Sequence, residues 1–202
     1  MKDIKVISKK FFLEDPVPTL AKNLLGKVIV SHIDDVLTVG RIVETEAYDG
    51  EVDRACHAFP SRRTARTEVM FREGGIAYVY LCYGIHHLFN IVTHPENTAC
   101  AVLIRAIEPI EGVLHMKRRR NVNQLNQLTN GPGKCAQALG ITTEYNGIML
   151  HDQTSRIWLG DDGNRSIFKV ISSPRIGVDY AGEDALLPWR FYIEHNPFVS
   201  KK

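Results

Sequence analysis

The sequence predicts an α+β domain in which antiparallel strands dominate and a few short helices flank them. Short apolar or alternating runs recur between compact turns, and the few helix-like stretches are bounded by proline or glycine. No repeat, low-complexity tract or linker divides the chain. Its 202 residues are enough to bury a substantial core, so we predict a single domain over residues 1–202.

Composition excludes several classes of protein. Apolar residues make up 44% of the chain and charged residues 24%, which is typical of a globular protein. No apolar run approaches the length that spans a bilayer, and the N-terminal segment lacks the apolar stretch and cleavage site of a signal peptide. We therefore predict a soluble protein of the cytoplasm that has no membrane partner.

The four cysteines are scattered along the chain at Cys56, Cys82, Cys100 and Cys135. They show neither C-x-x-C spacing nor a secreted context, so we predict reduced thiols that are mostly buried. Histidines lie near two of them, but no four-ligand zinc spacing results. The sequence therefore predicts no metal and no cofactor.

The first predicted elements are a helix and a hairpin. Residues 15–26 form a helix-like stretch with prolines at its start and a glycine at its end. Two strands follow, over residues 27–33 and 36–48, and Asp34 with Asp35 provides a compact turn between them. We expect an antiparallel pair directly after the first helix.

The middle of the chain predicts a meander and two helices. The run IAYVYLCYGIHHLFNIV predicts two strands that turn at Gly84, and ACAVLIRAIEP predicts a third. A helix-like segment begins near Glu111 and ends in the basic run at residues 117–120. Another helix is expected in GPGKCAQALG, between Pro132 and Gly140. Further strands are expected around residues 148–159, 168–172 and 189–193.

The basic residues form two clusters, although the net charge is only +2. One lies in SRRTARTEVMFR and contains Arg62, Arg63, Arg66 and Arg72; the other runs over residues 117–120. The second cluster is about equally well explained as a solvated helix end that complements the helix dipole or as a phosphate-binding site. Together the clusters predict a face that binds a polyanion.

The stretch RIVETEAYDGEVDRACHAF places Glu46, Tyr48 and His57 within one short strand-and-loop unit. Alternation along the strand puts Ile42, Glu44, Glu46 and Tyr48 on one face, and His57 follows in a loop. A carboxylate at a strand end is more often a solvated surface residue, and on this segment alone we favour that interpretation. His57 is either a capped loop histidine or a hydrogen-bond donor in a pocket.

Arg105 lies inside the apolar strand AVLIRAIEP, which predicts that it is largely buried. A buried guanidinium without a partner costs about 3 to 5 kcal/mol, so we expect a carboxylate beside it. Glu46 is the candidate. The alternative is a side chain that reaches along the strand to water, which the apolar flanks disfavour.

The predicted meander contains three tyrosines and one asparagine that are candidates for a functional site. Tyr78 and Tyr80 share one face of their strand, whereas Tyr83 points the other way. Half-buried packing is the default explanation for strand tyrosines. Tyr83, however, lies beside the turn glycine, where an exposed ring suits stacking on bases or insertion between them. Asn90 has apolar neighbours, so it either ties two strands together or projects into a pocket.

Taken in order, these motifs resemble the alkyladenine (3-methyladenine) DNA glycosylase family; they are RIVETEAY, the histidine of ACHAF, YVYLCYG, Asn90 and AVLIRAIEP. The resemblance runs from FFLEDPVPTLAKNLLGK through NGPGKCAQALGI to SPRIGVDYAG and PWRFYI, and so covers nearly the whole chain. It implies a compact domain with a curved antiparallel sheet, flanking helices and a protruding β-hairpin that enters DNA. It also implies a monofunctional base-excision repair enzyme.

The resemblance implies roles for the residues that match the family motifs. The glutamate matching Glu46 activates water as a general base, and the arginine matching Arg105 helps to position that water. Tyr48, His57 and Tyr80 match residues that sandwich and hydrogen-bond the extruded base.

Two further matches concern the DNA around the damaged base. Tyr83 matches the tyrosine that enters the minor groove and fills the vacated gap. Asn90 matches the residue that crowds the exocyclic amino group of normal guanine. Where relatives can carry aromatic residues beyond the hairpin glycine, this chain has His86 and His87. No lysine stands at the positions matching the active-site motifs, so strand cleavage through a Schiff base is not expected.

The expected partner is double-stranded DNA that contains alkylated or deaminated purines, and the expected state is a monomer that associates with the nucleoid through DNA. Candidate substrates are 3-methyladenine, 7-methylguanine, hypoxanthine and ethenoadenine. The candidates for phosphate contact are Arg62, Arg63, Arg66 and Lys134.

Two other functions compete with this one. A non-catalytic damage-binding module could use the same pocket and hairpin, but a carboxylate aimed at DNA would only weaken its binding. A hydrolase of free nucleosides would need neither the arginine clusters nor an exposed Tyr83.

Overall fold

The structure is a computed structural model that describes residues 4–164 and 166–200. The limits of the predicted domain, residues 1 and 202, lie outside the described residues. The α-helices are α1 (Val17–Asn23), α2 (Val113–Arg120) and α3 (Pro132–Leu139). Short 3-10 helices lie at Lys9–Phe12, Glu68–Phe71, Leu125–Gln127, Thr143–Tyr145 and Asp179–Leu186. The strands are β1 (Lys5–Val6), β2 (Val28–Ile33), β3 (Val36–Asp49), β4 (Ala77–Cys82), β5 (His86–Thr93), β6 (Cys100–Glu111), β7 (Ile157–Asp161), β8 (Val170–Ser173) and β9 (Arg190–Ile193).

All the paired strands are antiparallel and belong to one sheet. Over the described part of the chain, the order is β1-β7-β2-β3-β6-β5-β4, and β9 pairs with both β3 and β8 beside this path. The long β3 pairs with β6 on one edge and with β2 and then β9 on the other. The predicted α+β class with an antiparallel sheet is confirmed.

Both predicted hairpins are present. Asp34 and Asp35 have φ of 54° and 56° between β2 and β3, as a tight two-residue turn between twisted strands requires. Strands β4 and β5 turn at Tyr83 and Gly84, whose φ angles are 52° and 72°. Strand β6 then pairs with β5, which completes the predicted meander.

Other boundaries differ from the predictions. The helix predicted over residues 15–26 is shorter, because Gly26 adopts a φ of 83° and its N–H donates to Ile42 O of β3. The strand predicted around residues 148–159 is wrong over most of its length, since β7 begins at Ile157. There Asp152 accepts a hydrogen bond from Thr154 N, an aspartate-centred turn that breaks the strand.

The alternation predicted along β3 also fails at one point. Register irregularities flank Glu44, and both Ile42 and Val43 belong to the main core. A strict two-residue alternation therefore does not run through Ile42. Beyond the irregularity, Glu46 and Tyr48 do share a face, because the Tyr48 hydroxyl is hydrogen-bonded to the Glu46 carboxylate.

The main core lies between the sheet and the three helices, with fully buried contributions from Ala21 of α1, Met116 of α2 and Leu139 of α3. A second apolar cluster contains Met70, Phe71 and Tyr78, and Tyr48 and Tyr80 pack at its margin. The predicted burial of the cysteines is confirmed except at Cys82, which is half-buried; all four are free thiols. No helix in the described residues is long and apolar enough to cross a bilayer.

Candidate active site

A cavity of about 690 Å³ opens beside the β4–β5 hairpin. Strands β3 and β6, the start of α3 and the segment 176–180 also border it. The predicted catalytic and pocket residues all line this cavity; they are Glu46, Tyr48, His57, Tyr80, Asn90 and Arg105. Residues far apart in the chain therefore meet around one space.

Glu46 is fully buried, so the interpretation as a solvated surface residue is wrong. Its Oε1 accepts a hydrogen bond from Ile176 N at 2.8 Å. Its Oε2 accepts one from Tyr48 Oη at 2.8 Å and one from Arg105 Nη1 at 3.1 Å. A carboxylate offers about four acceptor positions, so Glu46 can still accept a hydrogen bond from a water or a ligand in the cavity.

Arg105 is only 7% exposed and bridges two carboxylates, so the alternative in which it reaches water is wrong. Its Nε donates to Glu44 Oε1 at 3.0 Å, and its Nη1 donates to Glu46. Burial by itself lowers the pKa of the guanidinium, but the Glu46 and Glu44 charges outweigh burial and raise that pKa above its usual value. The predicted pairing of Arg105 with Glu46 is confirmed.

Glu44 is the centre of a buried charge cluster that sequence reasoning missed. It is fully buried and accepts hydrogen bonds from Arg190 Nε at 2.8 Å, Ser200 N at 2.6 Å and Ser200 Oγ at 2.8 Å, besides that from Arg105. Arg190 lies in PWRFYI, and its apolar flank is the kind of signal that identified Arg105. Hereafter the buried charge cluster means Glu44, Glu46, Arg105 and Arg190.

A second buried ion pair supports the opposite side of Glu46. Arg175 Nη2 donates to Asp53 Oδ1 at 2.7 Å, and the guanidinium lies 4.8 Å from the centroid of the Tyr48 ring. The next residue, Ile176, donates its N–H to Glu46. Burial and the Glu46 charge raise the pKa of Tyr48 well above its usual value, so its hydroxyl keeps its proton and donates. The Asp53–Arg175 pair thus holds both the ring and the N–H against Glu46.

His57 is a pocket residue with a defined hydrogen-bonding state. Arg66 Nη2 lies 3.1 Å from His57 Nε2, and since a guanidinium only donates, Nε2 accepts. His57 Nδ1 therefore carries the proton and donates to Tyr78 Oη at 3.0 Å. Burial, and to a lesser extent the charge of Arg66, lowers the pKa of His57 to about 4. The ring is neutral at physiological pH.

Tyr78 and Tyr80 of β4 line the cavity, and their ring centroids lie 5.4 Å apart, which confirms their predicted common face. The His57 ring meets the Tyr80 ring edge to face, with 4.7 Å between centroids. Burial raises the pKa of Tyr78 to about 12 and that of Tyr80 higher still. Both hydroxyls therefore stay protonated.

Asn90 combines the two roles that the sequence left open. Its Nδ2 donates to Tyr78 O at 3.0 Å, which ties β5 to β4, and the side chain also lines the cavity. This hydrogen bond fixes the direction of the amide. Any ligand in the cavity therefore meets a side chain that cannot readily turn away.

The hairpin tip is the most exposed aromatic site. Tyr83 is 92% exposed, and Ile85 beyond the turn is 71% exposed. No atom lies within 4 Å of the position that a Cβ on Gly84 would occupy. His87 Nδ1 accepts a hydrogen bond from Thr143 N at 3.2 Å, so one of the two histidines is tied to the body of the protein.

The predicted phosphate contacts occupy different environments. Arg62 is exposed, whereas Arg63 donates to Glu68 Oε1 at 3.0 Å. Lys134 lines the cavity and donates to Asn130 Oδ1 at 2.8 Å. Arg66 is exposed as well, and it also lines the cavity.

In the second basic cluster, the side chains of Arg119 and Arg120 hold α2 against neighbouring parts of the chain. Arg119 donates to Ala138 O, and Arg120 donates to Leu128 O. Burial lowers the pKa of both guanidinium groups. Arg120 also lines the cavity and Arg118 is exposed, so phosphate binding by this cluster stays a prediction beside the structural role.

Comparison with known proteins gives a consistent result. Residues 10–197 match the family described as methylpurine-DNA glycosylase. A Bacillus thuringiensis (strain Al Hakam) protein named "Putative 3-methyladenine DNA glycosylase" is 47% identical over 199 residues, which cover 95% of this chain and 97% of the relative. A Bacillus mycoides (strain KBAB4) protein of the same name is 48% identical over 198 residues, covering 94% and 97%.

The family match and these relatives show that the protein is a DNA glycosylase that acts on alkylated bases. Within that class, the chain belongs to the methylpurine-DNA glycosylase family.

Proposed function

We propose that the protein is a monofunctional DNA glycosylase that flips damaged purines out of duplex DNA and hydrolyses their N-glycosidic bonds, leaving an abasic site. The proposed lesions are 3-methyladenine, 7-methylguanine, hypoxanthine and ethenoadenine. The proposed state is a monomer acting on DNA in the cytoplasm.

The observation that carries the proposal is the environment of Glu46. It is a fully buried carboxylate that borders a cavity and retains an acceptor position after three hydrogen bonds. Breaking a glycosidic bond develops positive charge on the sugar, which a nearby carboxylate stabilises. The same carboxylate accepts a proton from the attacking water. Arg105 positions that water from the adjacent side.

The aromatic residues are assigned to the extruded base. Tyr48 borders the cavity with its ring held by Arg175, while His57 and Tyr80 form an edge-to-face pair. A purine between these rings gains stacking energy, and a cationic purine gains a cation–π contact as well. Asn90 limits the space available to the exocyclic amino group of guanine.

Tyr83 is assigned to the duplex. An exposed ring at a protruding tip can enter the minor groove and fill the gap that the flipped base leaves. Unpairing and unstacking cost a few kcal/mol and least for damaged bases, so some selectivity precedes entry into the pocket.

Hydrolysis without strand cleavage is the expected chemistry. Lys134 borders the cavity, but its ammonium donates to Asn130 Oδ1 and stands outside the group that surrounds Glu46. A Schiff base requires a neutral amine close to the sugar. Sodium borohydride should therefore trap no covalent complex with DNA.

The test uses purified protein in EDTA with a duplex that carries one hypoxanthine and with methylated genomic DNA. We expect free hypoxanthine and methylpurines, and abasic DNA that breaks only on alkali treatment. Glu46→Gln should release no base while binding the lesion duplex within a few-fold of wild type. The matched control is Glu144→Gln, which changes an exposed carboxylate outside the cavity and should leave release unchanged.

Tight lesion binding without release by the wild type would instead favour a non-catalytic damage-binding module. Full activity of Glu46→Gln would remove Glu46 from the mechanism. A borohydride-trapped complex would replace the monofunctional assignment with a lyase.

A further inference from the structure

Arg66 lies in the wall of the cavity and is not directed toward solvent alone. Its Nη2 is 3.1 Å from His57 Nε2, and its guanidinium carbon is 4.7 Å from the centroid of the Tyr80 ring. Both of these aromatic residues line the cavity with it. A residue that the sequence suggested as a phosphate contact therefore touches two side chains assigned to the base.

The guanidinium brings a permanent positive charge to this wall, because arginine is not deprotonated in proteins. In the described part of the chain, no ion pair links Arg66 to a carboxylate, and its contacts are with the neutral side chains of His57, Tyr78 and Tyr80. By contrast, Arg63 nearby is paired with Glu68. The charge of Arg66 is thus available to act on whatever enters the cavity.

Purine lesions fall into two electrostatic classes. Purines alkylated at N3 or N7 carry a positive charge, whereas hypoxanthine and ethenoadenine are neutral. A cation at the pocket wall repels a cationic base and occupies an aromatic face that the base could use for its own cation–π contact. A neutral base gains negative charge as its glycosidic bond breaks, and the same cation stabilises that charge.

We propose that Arg66 is a specificity-determining residue that biases the pocket toward neutral purine lesions over cationic ones. This inference rests on the proposed function, because it assigns a role within the same base-binding cavity. It replaces the phosphate contact suggested by the sequence with a contact to the base-binding wall.

The experiment compares kcat/KM for hypoxanthine and for 7-methylguanine in otherwise identical duplexes. Arg66→Gln removes the charge while keeping a hydrogen-bond donor, and it should lower the hypoxanthine to 7-methylguanine ratio about 3- to 10-fold. This is the effect expected for two unit charges roughly 6 Å apart at a partly exposed site. Arg66→Lys retains the charge and should recover most of the ratio.

The matched control is Arg62→Gln, which removes an exposed charge from the same segment. It should weaken both substrates equally and reduce the salt dependence of binding, as loss of a phosphate contact does. If Arg66→Gln behaves like Arg62→Gln, or if the ratio stays constant or rises, the inference is overturned.

A binding measurement separates this inference from the proposed function. In a Glu46→Gln background, fluorescence anisotropy gives the affinities for the two lesion duplexes without base release. Adding Arg66→Gln should improve binding of the 7-methylguanine duplex relative to the hypoxanthine duplex by about 3- to 10-fold. An unchanged affinity ratio overturns the role of Arg66 even if the wild type is active, whereas an inactive wild type counts against the glycosylase assignment alone.

Discussion

The buried charge cluster and the tip of the β4–β5 hairpin place functional candidates in opposite environments. Glu44 and Glu46 are fully buried among hydrogen-bond donors, whereas Tyr83 is 92% exposed. Folding has already oriented the first group, and it has left the second free to meet a partner. The contrast indicates that chemistry here depends on preorganisation, while DNA engagement depends on exposure.

The two regions should also differ in what they contribute to stability. A buried charge that loses its partner destabilises a protein by about 3 to 5 kcal/mol. An exposed ring that packs on nothing contributes close to zero. Mutations in the cluster should therefore affect folding and activity together, and mutations at the tip should affect activity alone.

The largest expected effect is that of Glu44→Ala. It leaves Arg105 and Arg190 without their shared carboxylate, so the free energy of unfolding should fall by about 3 to 5 kcal/mol. Urea unfolding followed by circular dichroism measures it. Glu144→Ala is the control and should stay within about 0.5 kcal/mol of wild type. A loss below about 1 kcal/mol for Glu44→Ala would mean that the cluster is not held by charge pairing.

Tyr83→Ala should show the reverse pattern. We expect unchanged unfolding and a loss of excision of about 10-fold or more on duplex DNA, since one base–aromatic stacking contact is worth about 1 to 3 kcal/mol. Excision from single strands should fall much less. Ile85→Ala, on the same exposed tip, tests whether the loss of any apolar side chain there lowers excision to the same extent. Equal losses on both DNA forms would contradict the insertion role.

His57, which lines the cavity, should make the stability of the protein depend on pH. Its pKa is about 4 in the folded protein and about 6.5 when exposed in the unfolded chain. Between these values the unfolded chain binds the proton, so stability falls as the pH drops from about 6.5 toward 4.

Between about pH 7 and pH 4.5, the free energy of unfolding should therefore fall by about 1 to 3 kcal/mol less in His57→Gln than in wild type. Urea midpoints at the two pH values measure the difference. Tyr83→Ala should retain the wild-type pH dependence. Identical pH dependence in His57→Gln and wild type would show that the imidazole is already accessible to protons in the folded state.

The smallest expected effect is that of Asn90→Ser, at the buried end of the hairpin. The shorter side chain should admit guanine-like bases more readily, raising release of undamaged guanine relative to 7-methylguanine by about 10-fold or less. Mass spectrometry of the released bases gives this ratio. An unchanged ratio would restrict Asn90 to its hydrogen bond with Tyr78 O.

Much of the fold was predictable because its signals are local. The Asp34–Asp35 turn, the turn at Gly84 and the limits of α3 depend on residues within a few positions of each other. The error over residues 148–156 has a local cause too, since one aspartate-centred turn outweighed an apolar pattern. Within the site, the apolar neighbours of Arg105 sufficed to predict its burial and its need for a carboxylate.

The sequence by itself therefore determined the antiparallel strands, their turns, and the residue types that gather at the cavity, because propensity and alternation act over short distances. Apart from the Arg105–Glu46 pair, only the tertiary structure decided which charged residues meet. Ser200 reaches Glu44 across 156 positions, Arg190 across 146, and Arg175 reaches Asp53 across 122. No short-range pattern encodes such pairs, since a buried charge specifies that a partner is required but not where in the chain it lies. The turn of Arg66 toward His57 was decided in the same way, by the packing of a loop against β4.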